Sequence, residues 1–180
     1  HIKNLGKKNK NYRSYIGLGY YNTVLPSVIQ RNILENPNWY TAYTPYQPEI
    51  SQGRLEALFN FQTVITDLTG MDLANGSLLD EATAAAEAMI LSHNFRSSDK
   101  KKQGANTFLV CENCLPQTIA VLKTRASSLN INLIIQNHRD FNLSNDVFGF
   151  IVQYPNKNGT IYDYKKLIFE SKEKDIISTV

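Results

Sequence analysis

The fold class follows from residues 107–135, which read TFLVCENCLPQTIAVLKTRASSLNINLII. Thr107–Cys111 is an apolar run typical of a buried strand. Pro116 then opens a predicted helix that extends to Leu129, and Ile131–Ile135 is a second predicted strand. Because the helix is long enough to cross over the sheet, this order predicts a parallel βαβ unit.

The same alternation continues to the carboxyl end of the sequence. Val147–Gln153 is a third predicted strand, and Asp163–Lys174 is a helix that Asp163 caps. Asp175–Val180 is an apolar run typical of the start of a further strand. We therefore predict an α/β fold with a parallel-rich sheet and flanking helices. Since open α/β domains rarely stop where a strand begins, we expect the 180 residues to be a fragment.

Upstream of this alternation, the pattern predicts three helices. Pro26–Glu35 is the first, with an apolar face. A long helix is capped by Ser51 and ends at Gly70, and Ser77, with Asp80 and Glu81, opens an Ala-rich helix that runs to His93. Residues 1–14 are expected to be a terminal arm or a cut helix.

Trp39–Pro48 is the least ordinary segment, since it holds two prolines and four aromatic residues. The prolines exclude a regular helix, and the aromatic content favours an extended segment that lies on another surface. Ser97–Asn106 is polar and is predicted to be a surface loop. The domain description is therefore a helical and aromatic-loop segment over 15–96, followed by βα units over 107–180.

Composition excludes several classes of function. Apolar residues make up 42% and charged residues 19%, as in a globular protein. The net charge of +3 is too small to indicate nucleic acid as the main partner. Two cysteines form neither a disulfide framework nor a four-thiolate zinc site, His93 and His138 lack a paired metal-ligand spacing, and no apolar run reaches the roughly 18 residues of a membrane span. We expect an aqueous, reducing compartment, with no metal and no membrane partner.

Two motifs suggest chemistry and also have structural interpretations. Cys111-Glu112-Asn113-Cys114 lies between a strand and a helix, where a thiol redox pair would gain thiolate character; the alternative is two small apolar side chains. Gly17-Leu18-Gly19 resembles the start of a dinucleotide fingerprint, but Asn22 stands at the final glycine position and no strand precedes it, so a turn is preferred.

A Schiff-base lysine is the remaining candidate for covalent chemistry. None of the 13 lysines follows a buried strand, and Lys100–Lys102 fall in the predicted polar loop. The sequence therefore predicts no catalytic residue in this chain.

Several runs resemble the amino-terminal half of the glycine cleavage system P-protein family. The likeness covers roughly residues 12–180 in order, and its most specific parts are Tyr43–Pro48, which reads YTPYQP, and Leu78–Thr83, which reads LLDEAT. The other similar runs are Tyr15–Thr23, Asn32–Pro37, Trp39–Glu56, Leu68–Met71, Ser77–Ala88, Pro116–Thr118 and Val152–Pro155.

The resemblance implies part of the large domain of a fold-type I, aminotransferase-like PLP-dependent transferase. It also implies decarboxylation of glycine on pyridoxal 5'-phosphate and transfer of the aminomethyl group to the lipoyl arm of H-protein. In this family the cofactor and its Schiff-base lysine belong to the other half or subunit, in a homodimer or heterotetramer. The implied compartment is the bacterial cytoplasm, which is favoured, or the mitochondrial matrix.

Site residues follow from the same resemblance. It places Tyr20, Tyr21, Thr44 and Tyr46 in the lining of the active-site cavity, with interface packing as their alternative role. Thr83 matches a cofactor-phosphate position and is expected to be a vestige. The family usually has His where this chain has Leu115, which weakens a cofactor role for this half. The rival functions are a non-catalytic scaffold or interaction domain and a thiol redox module.

Overall fold

The structure is a computed structural model that describes residues 1–10, 12–40 and 48–180. The chain divides into two compact units, residues 1–77 and residues 78–180. No helix among the described residues is long and apolar enough to cross a membrane.

The first unit is helical. Its helices are α1 (Ile2–Gly6), α2 (Ser27–Ile29), which continues as a π-helical turn over Gln30–Leu34, and α3 (Pro48–Thr69). The two predicted helices of residues 26–70 are thus confirmed. The longer one begins three residues before the predicted Ser51, since proline is accepted at the first helical position.

The first unit has no core of its own among its described residues. Every described side chain of residues 1–77 is exposed or half-buried. The apolar face predicted for the first helix exists, but its members Val28, Ile29, Ile33 and Leu34 are exposed. The predicted aromatic segment Trp39–Pro48 falls mostly on residues 41–47, which lie outside the described residues.

The second unit contains a four-stranded parallel sheet. Its strands are β1 (Thr107–Cys111), β2 (Asn132–Gln136), β3 (Val147–Ile151) and β4 (Ile177–Thr179), and their order is β2-β1-β3-β4. All three strand pairs are parallel, which confirms the α/β prediction. The central strands β1 and β3 are buried throughout, as expected of strands covered on both faces.

Four helices accompany the sheet: α4 (Glu81–Asn94), α5 (Ser98–Lys102), α6 (Pro116–Ser128) and α7 (Lys165–Glu173). Three predictions of helix caps or bounds were wrong. Asp163 was predicted to cap the last helix, but α7 begins at Lys165 and Tyr164 occupies its cap position. The cap of α4 is Asp80, not Ser77, because the Asp80 carboxylate accepts the Thr83 N–H. The predicted loop Ser97–Asn106 contains α5, since the Ser97 hydroxyl oxygen caps it by accepting the Lys100 N–H.

The core lies between the sheet and these helices. Helix α4 packs on α6 and β3, and α6 packs on β2. The largest fully buried side chains are Phe108, Phe148, Phe150, Met89, Leu109 and Leu122. This core holds the carboxyl edge of the sheet in place beside α4 and α6.

Candidate functional site

The second unit has a cavity of about 330 Å³ at the carboxyl edge of the sheet. The chain passes from β1 through α6 to β2 on one side, and then places β3 and β4 on the other side. Ligands of open α/β sheets bind beside the strand ends at such a reversal. The cavity is lined by Glu81, Ala84, Ala85, Ala88, Cys114, Thr118, Ile151, Val152, Gln153, Tyr154, Thr179 and Val180.

The amino end of α4 carries negative charge at the cavity. The Thr83 N–H donates to Asp80 Oδ1 at 2.7 Å, and this bond, together with one from the Thr83 hydroxyl, holds the pKa of Asp80 below its usual range. Glu81 adds a second carboxylate, and no Lys or Arg is among the described residues that line the cavity. The Thr83 N–H is thus already paired with a carboxylate, and the two negative charges at this helix end oppose the binding of a cofactor phosphate.

Thr118 gives the cavity an unusual polar group. Its side chain is 3% exposed, and its hydroxyl has no hydrogen-bond partner among the described residues. Gln153 also lines the cavity, and it accepts the Leu115 N–H through Oε1 at 2.8 Å. A buried hydroxyl without a partner is costly, so Thr118 marks a place where a polar group is missing.

The two cysteines are free thiols and both are buried. Burial, and then the nearby Cys111, raise the pKa of Cys114 to about 12. Cys111 Sγ lies 4.0 Å from His138 Nδ1, and the His138 ring contacts Tyr162 and Tyr164. Redox cysteines need an accessible thiolate, so a buried, protonated Cys114 weighs against the thiol redox alternative.

The buried lysine of the second unit escaped the sequence prediction. Lys100 is 5% exposed, and its Nζ donates to the carbonyl oxygens of Asn145 at 3.2 Å and Val147 at 2.9 Å. Burial lowers the pKa of Lys100. Its partners lie at the amino end of β3, about 13 Å along the strand from Ile151 at the cavity. Lys100 therefore ties α5 to β3 and does not face the cavity.

Four residues were predicted to line the active site, and the structure describes two of them. Tyr20 and Tyr21 follow a turn in which Gly17, Leu18 and Gly19 have φ values of 64°, 56° and 91°, closed by a bridge between Gly17 and Tyr20. Both rings are exposed, by 62% and 78%. The turn agrees with the preferred interpretation of this glycine pair. Thr44 and Tyr46 lie outside the described residues.

Leu115, where the family usually has His, also belongs to the carboxyl edge. It stands immediately before α6 and is buried, and its N–H donates to the Gln153 side chain. Sequence reasoning missed Thr118 and Gln153 as cavity residues. A signal was available: Gln153 is the last residue of a predicted strand and Thr118 lies in the first turn of the helix that follows the neighbouring strand, and parallel sheets place their ligands at this edge.

A four-stranded parallel sheet with helices over it places the chain in the α/β class, and its structural likeness is to fold-type I PLP-dependent enzymes. The family model of the glycine cleavage system P-protein matches residues 1–180, and the chain belongs to that family. This confirms the resemblance that the sequence motifs indicated.

Individual relatives agree with the family match. The chain is 56% identical to glycine dehydrogenase (decarboxylating) of Christiangramia forsetii over 176 residues, and the aligned region covers 98% of this chain. It is 57% identical over 179 residues to the Nostoc punctiforme protein of that name, with 99% coverage. A crystal structure of glycine decarboxylase (P-protein) of the glycine cleavage system, in inhibitor-bound form, superposes with a TM-score of 0.79 at 29% identity, covering 98% of this chain and 40% of that one. The chain spans 18% of the length of these two curated relatives.

Proposed function

We propose that the intact protein containing these residues decarboxylates glycine and transfers the remaining aminomethyl group to the lipoyl arm of H-protein. The observation that carries this proposal is the family match over residues 1–180, together with relatives named glycine dehydrogenase (decarboxylating) at 56% and 57% identity. Pyridoxal 5'-phosphate supplies the electron sink for the decarboxylation when bound, and its site lies outside this chain.

Within that protein, this chain is a part of the active-site architecture that does not hold the cofactor. Two observations support the assignment. The amino end of α4 presents the carboxylates of Asp80 and Glu81, and Lys100, the buried lysine of the described residues, is engaged by carbonyl groups at the opposite edge of the sheet. Thr83 serves its own helix cap, which fits a vestigial position.

Tyr20 and Tyr21 are proposed to line the glycine and lipoyl cavity of the intact protein, together with Thr44 and Tyr46. Tyr20 and Tyr21 are exposed on a turn, in a unit in which no described side chain is fully buried. Exposed apolar side chains in such number are typical of surfaces that contact something else. The scaffold alternative assigns the same exposed rings to packing against another part of the protein.

The proposed partners follow from the same assignment. They are glycine, lipoylated H-protein and the other half or subunit of the P-protein, in a homodimer or a heterotetramer. We place the protein in the bacterial cytoplasm rather than in the mitochondrial matrix, since the relatives named above are bacterial.

The activity is tested on the intact protein with glycine labelled at the carboxyl carbon. Release of labelled CO2 that depends on lipoylated H-protein is the expected result. If purified intact protein, reconstituted with pyridoxal 5'-phosphate, releases no label, the proposed activity is wrong.

The lining role is tested by Tyr20→Phe, with Tyr12→Phe as the control. Both rings are exposed in the first unit, but only Tyr20 was predicted to line the site. Loss of one hydrogen bond to a bound group should lower kcat/KM for glycine about tenfold. Tyr12→Phe should leave it unchanged. A Tyr20→Phe protein with normal kcat/KM would favour the scaffold alternative.

A further inference from the structure

We propose that the cavity at the carboxyl edge of the second unit binds a small uncharged aliphatic molecule, whose carbonyl-type oxygen accepts a hydrogen bond from the Thr118 hydroxyl. The cavity of about 330 Å³ lies among α4, α6 and the ends of β3 and β4. This volume is at the lower end of the range for ligand pockets, roughly 300–1,000 Å³. No role at this cavity follows from the activity proposed above.

Thr118 supplies the main argument for a ligand. Thr118 is the third residue of α6, so no helical carbonyl lies four residues before it, whereas Thr124, further along the helix, donates to the Ala120 carbonyl oxygen at 3.1 Å. The Thr118 hydroxyl has no partner among the described residues, although it is almost wholly buried at the cavity. A ligand atom in the cavity would provide the bond that the fold leaves unmade.

The neighbouring polar groups favour an acceptor on the ligand. Gln153 uses its Oε1 to accept the Leu115 N–H, and its NH2 group can only donate hydrogen bonds. Burial keeps the Cys114 thiol protonated by raising its pKa to about 12, so its sulfur carries a weak donor. Thr118, Gln153 and Cys114 therefore all offer a hydrogen to the cavity.

The rest of the lining selects for an uncharged and apolar body. Ala84, Ala85, Ala88, Ile151 and Val152 provide aliphatic walls. An anion would meet no cation, because neither Lys nor Arg lines the cavity, and it would be repelled by the Glu81 carboxylate at the rim. A neutral amide is thus expected to bind where a carboxylate of the same shape does not.

The test uses butyramide and butyrate, which have nearly the same shape and differ in charge. The intact protein is labelled with ¹³C at Ile, Val and Ala methyl groups, and the methyl signals of Ile151, Val152 and Ala88 are followed during titration. Butyramide is expected to shift these signals saturably, and butyrate is not. The readout is binding, so it is independent of whether the proposed glycine activity holds.

Three variants locate the site. Thr118→Val keeps the shape and removes the hydroxyl, and should weaken butyramide binding about tenfold. Its matched control, Thr124→Val, lies on the same helix outside the cavity and should leave the affinity unchanged. Ala88→Met fills the cavity from α4 and should abolish the shifts, which keeps the test usable even if Thr118→Val folds poorly.

Three outcomes would overturn the proposal. The first is that butyramide causes no saturable shifts in the intact protein, which is the result if its own polypeptide fills the cavity. The second is that butyramide and butyrate bind with equal affinity. The third is that a folded Thr118→Val protein binds butyramide with unchanged affinity.

Discussion

Gly149 lies in the middle of β3, where the neighbouring side chain of β1 comes too close for a larger residue. It is paired with Phe108 on β1 and Ile177 on β4. A Cβ atom at Gly149 would lie 2.9 Å from Phe108 Cε2 and 3.1 Å from the Ile177 carbonyl oxygen. Carbon atoms in good contact are about 3.5–4.0 Å apart, so in Gly149→Ala the Phe108 ring must retreat by roughly 0.5–1 Å.

The ring has little room for that movement. Phe108 is fully buried and packs against Phe148, with the ring centroids 5.4 Å apart. Overpacking of this kind costs about 1–3 kcal/mol, whereas Gly→Ala at an unstrained strand position gains about 0.5–1 kcal/mol. Gly149→Ala should therefore lower the free energy of local opening by up to about 2.5 kcal/mol net, with about 1 kcal/mol as the central value.

Amide hydrogen exchange in the intact protein is the appropriate assay, because it measures opening of the sheet without assuming two-state unfolding of a large chain. Protection should fall at Phe148–Ile151. Gly53→Ala in α3, where none of the described residues outside the neighbouring helix backbone has an atom within 4 Å of the added Cβ, should instead raise protection locally. Phe108→Leu removes Cε2, so the loss caused by Gly149→Ala should shrink in the double variant. Full protection in Gly149→Ala, or an unreduced loss in the double variant, would refute the close packing of β1 and β3.

Two further predictions concern buried titratable groups. Lys100→Met should destabilise the second unit by about 1–3 kcal/mol, because two carbonyl groups lose a charged donor. The control Lys101→Met, at an exposed position, should change the stability by less than about 0.5 kcal/mol. Equal shifts of the thermal unfolding midpoint in the two variants would contradict this prediction. Burial lowers the pKa of His93 and of His138 below the unfolded value of 6.5. Between pH 6.5 and the folded pKa values, the unfolded chain therefore binds more protons than the folded chain. The stability contribution of the neutral rings is complete above pH 6.5 and is lost as the pH falls through the folded pKa values. His138→Gln should make the thermal unfolding midpoint depend less on pH below pH 6.5. An unchanged slope of the midpoint against pH would contradict this prediction.

The sheet could be predicted from sequence because its signals are local. Thr107–Cys111 was predicted at its observed bounds, and the predicted second strand is displaced by one residue from β2. Pro116 marks the start of α6 by a rule that depends on one residue. The third strand was predicted to reach Gln153, but β3 ends at Ile151, and the Gln153 side chain turns instead to the Leu115 N–H.

The candidate site was harder to predict because its groups come from distant segments. Lys100 sits in a polar stretch, and its burial depends on carbonyl groups 45 and 47 residues further along the chain. Thr118 was noted only within a family motif, since nothing local shows that its hydroxyl is buried without a partner. The exposure of Val28 and Ile33 was likewise unpredictable, because a helical pattern shows that an apolar face exists and not what covers it.

Asp80 explains how the carboxyl edge can keep its architecture without an anionic cofactor. The amino end of a helix leaves N–H groups unpaired and favours negative charge, a need that a bound phosphate can meet. Here the Asp80 carboxylate meets it from within the chain, through the Thr83 N–H. One N–H of helix α4 is thus paired without a ligand, and the alanine face of α4 still forms one wall of the cavity. Removal of the Asp80 carboxylate would restore a free N–H at this end, but Glu81 would still repel a phosphate. The charge at this edge therefore favours the neutral ligand proposed above.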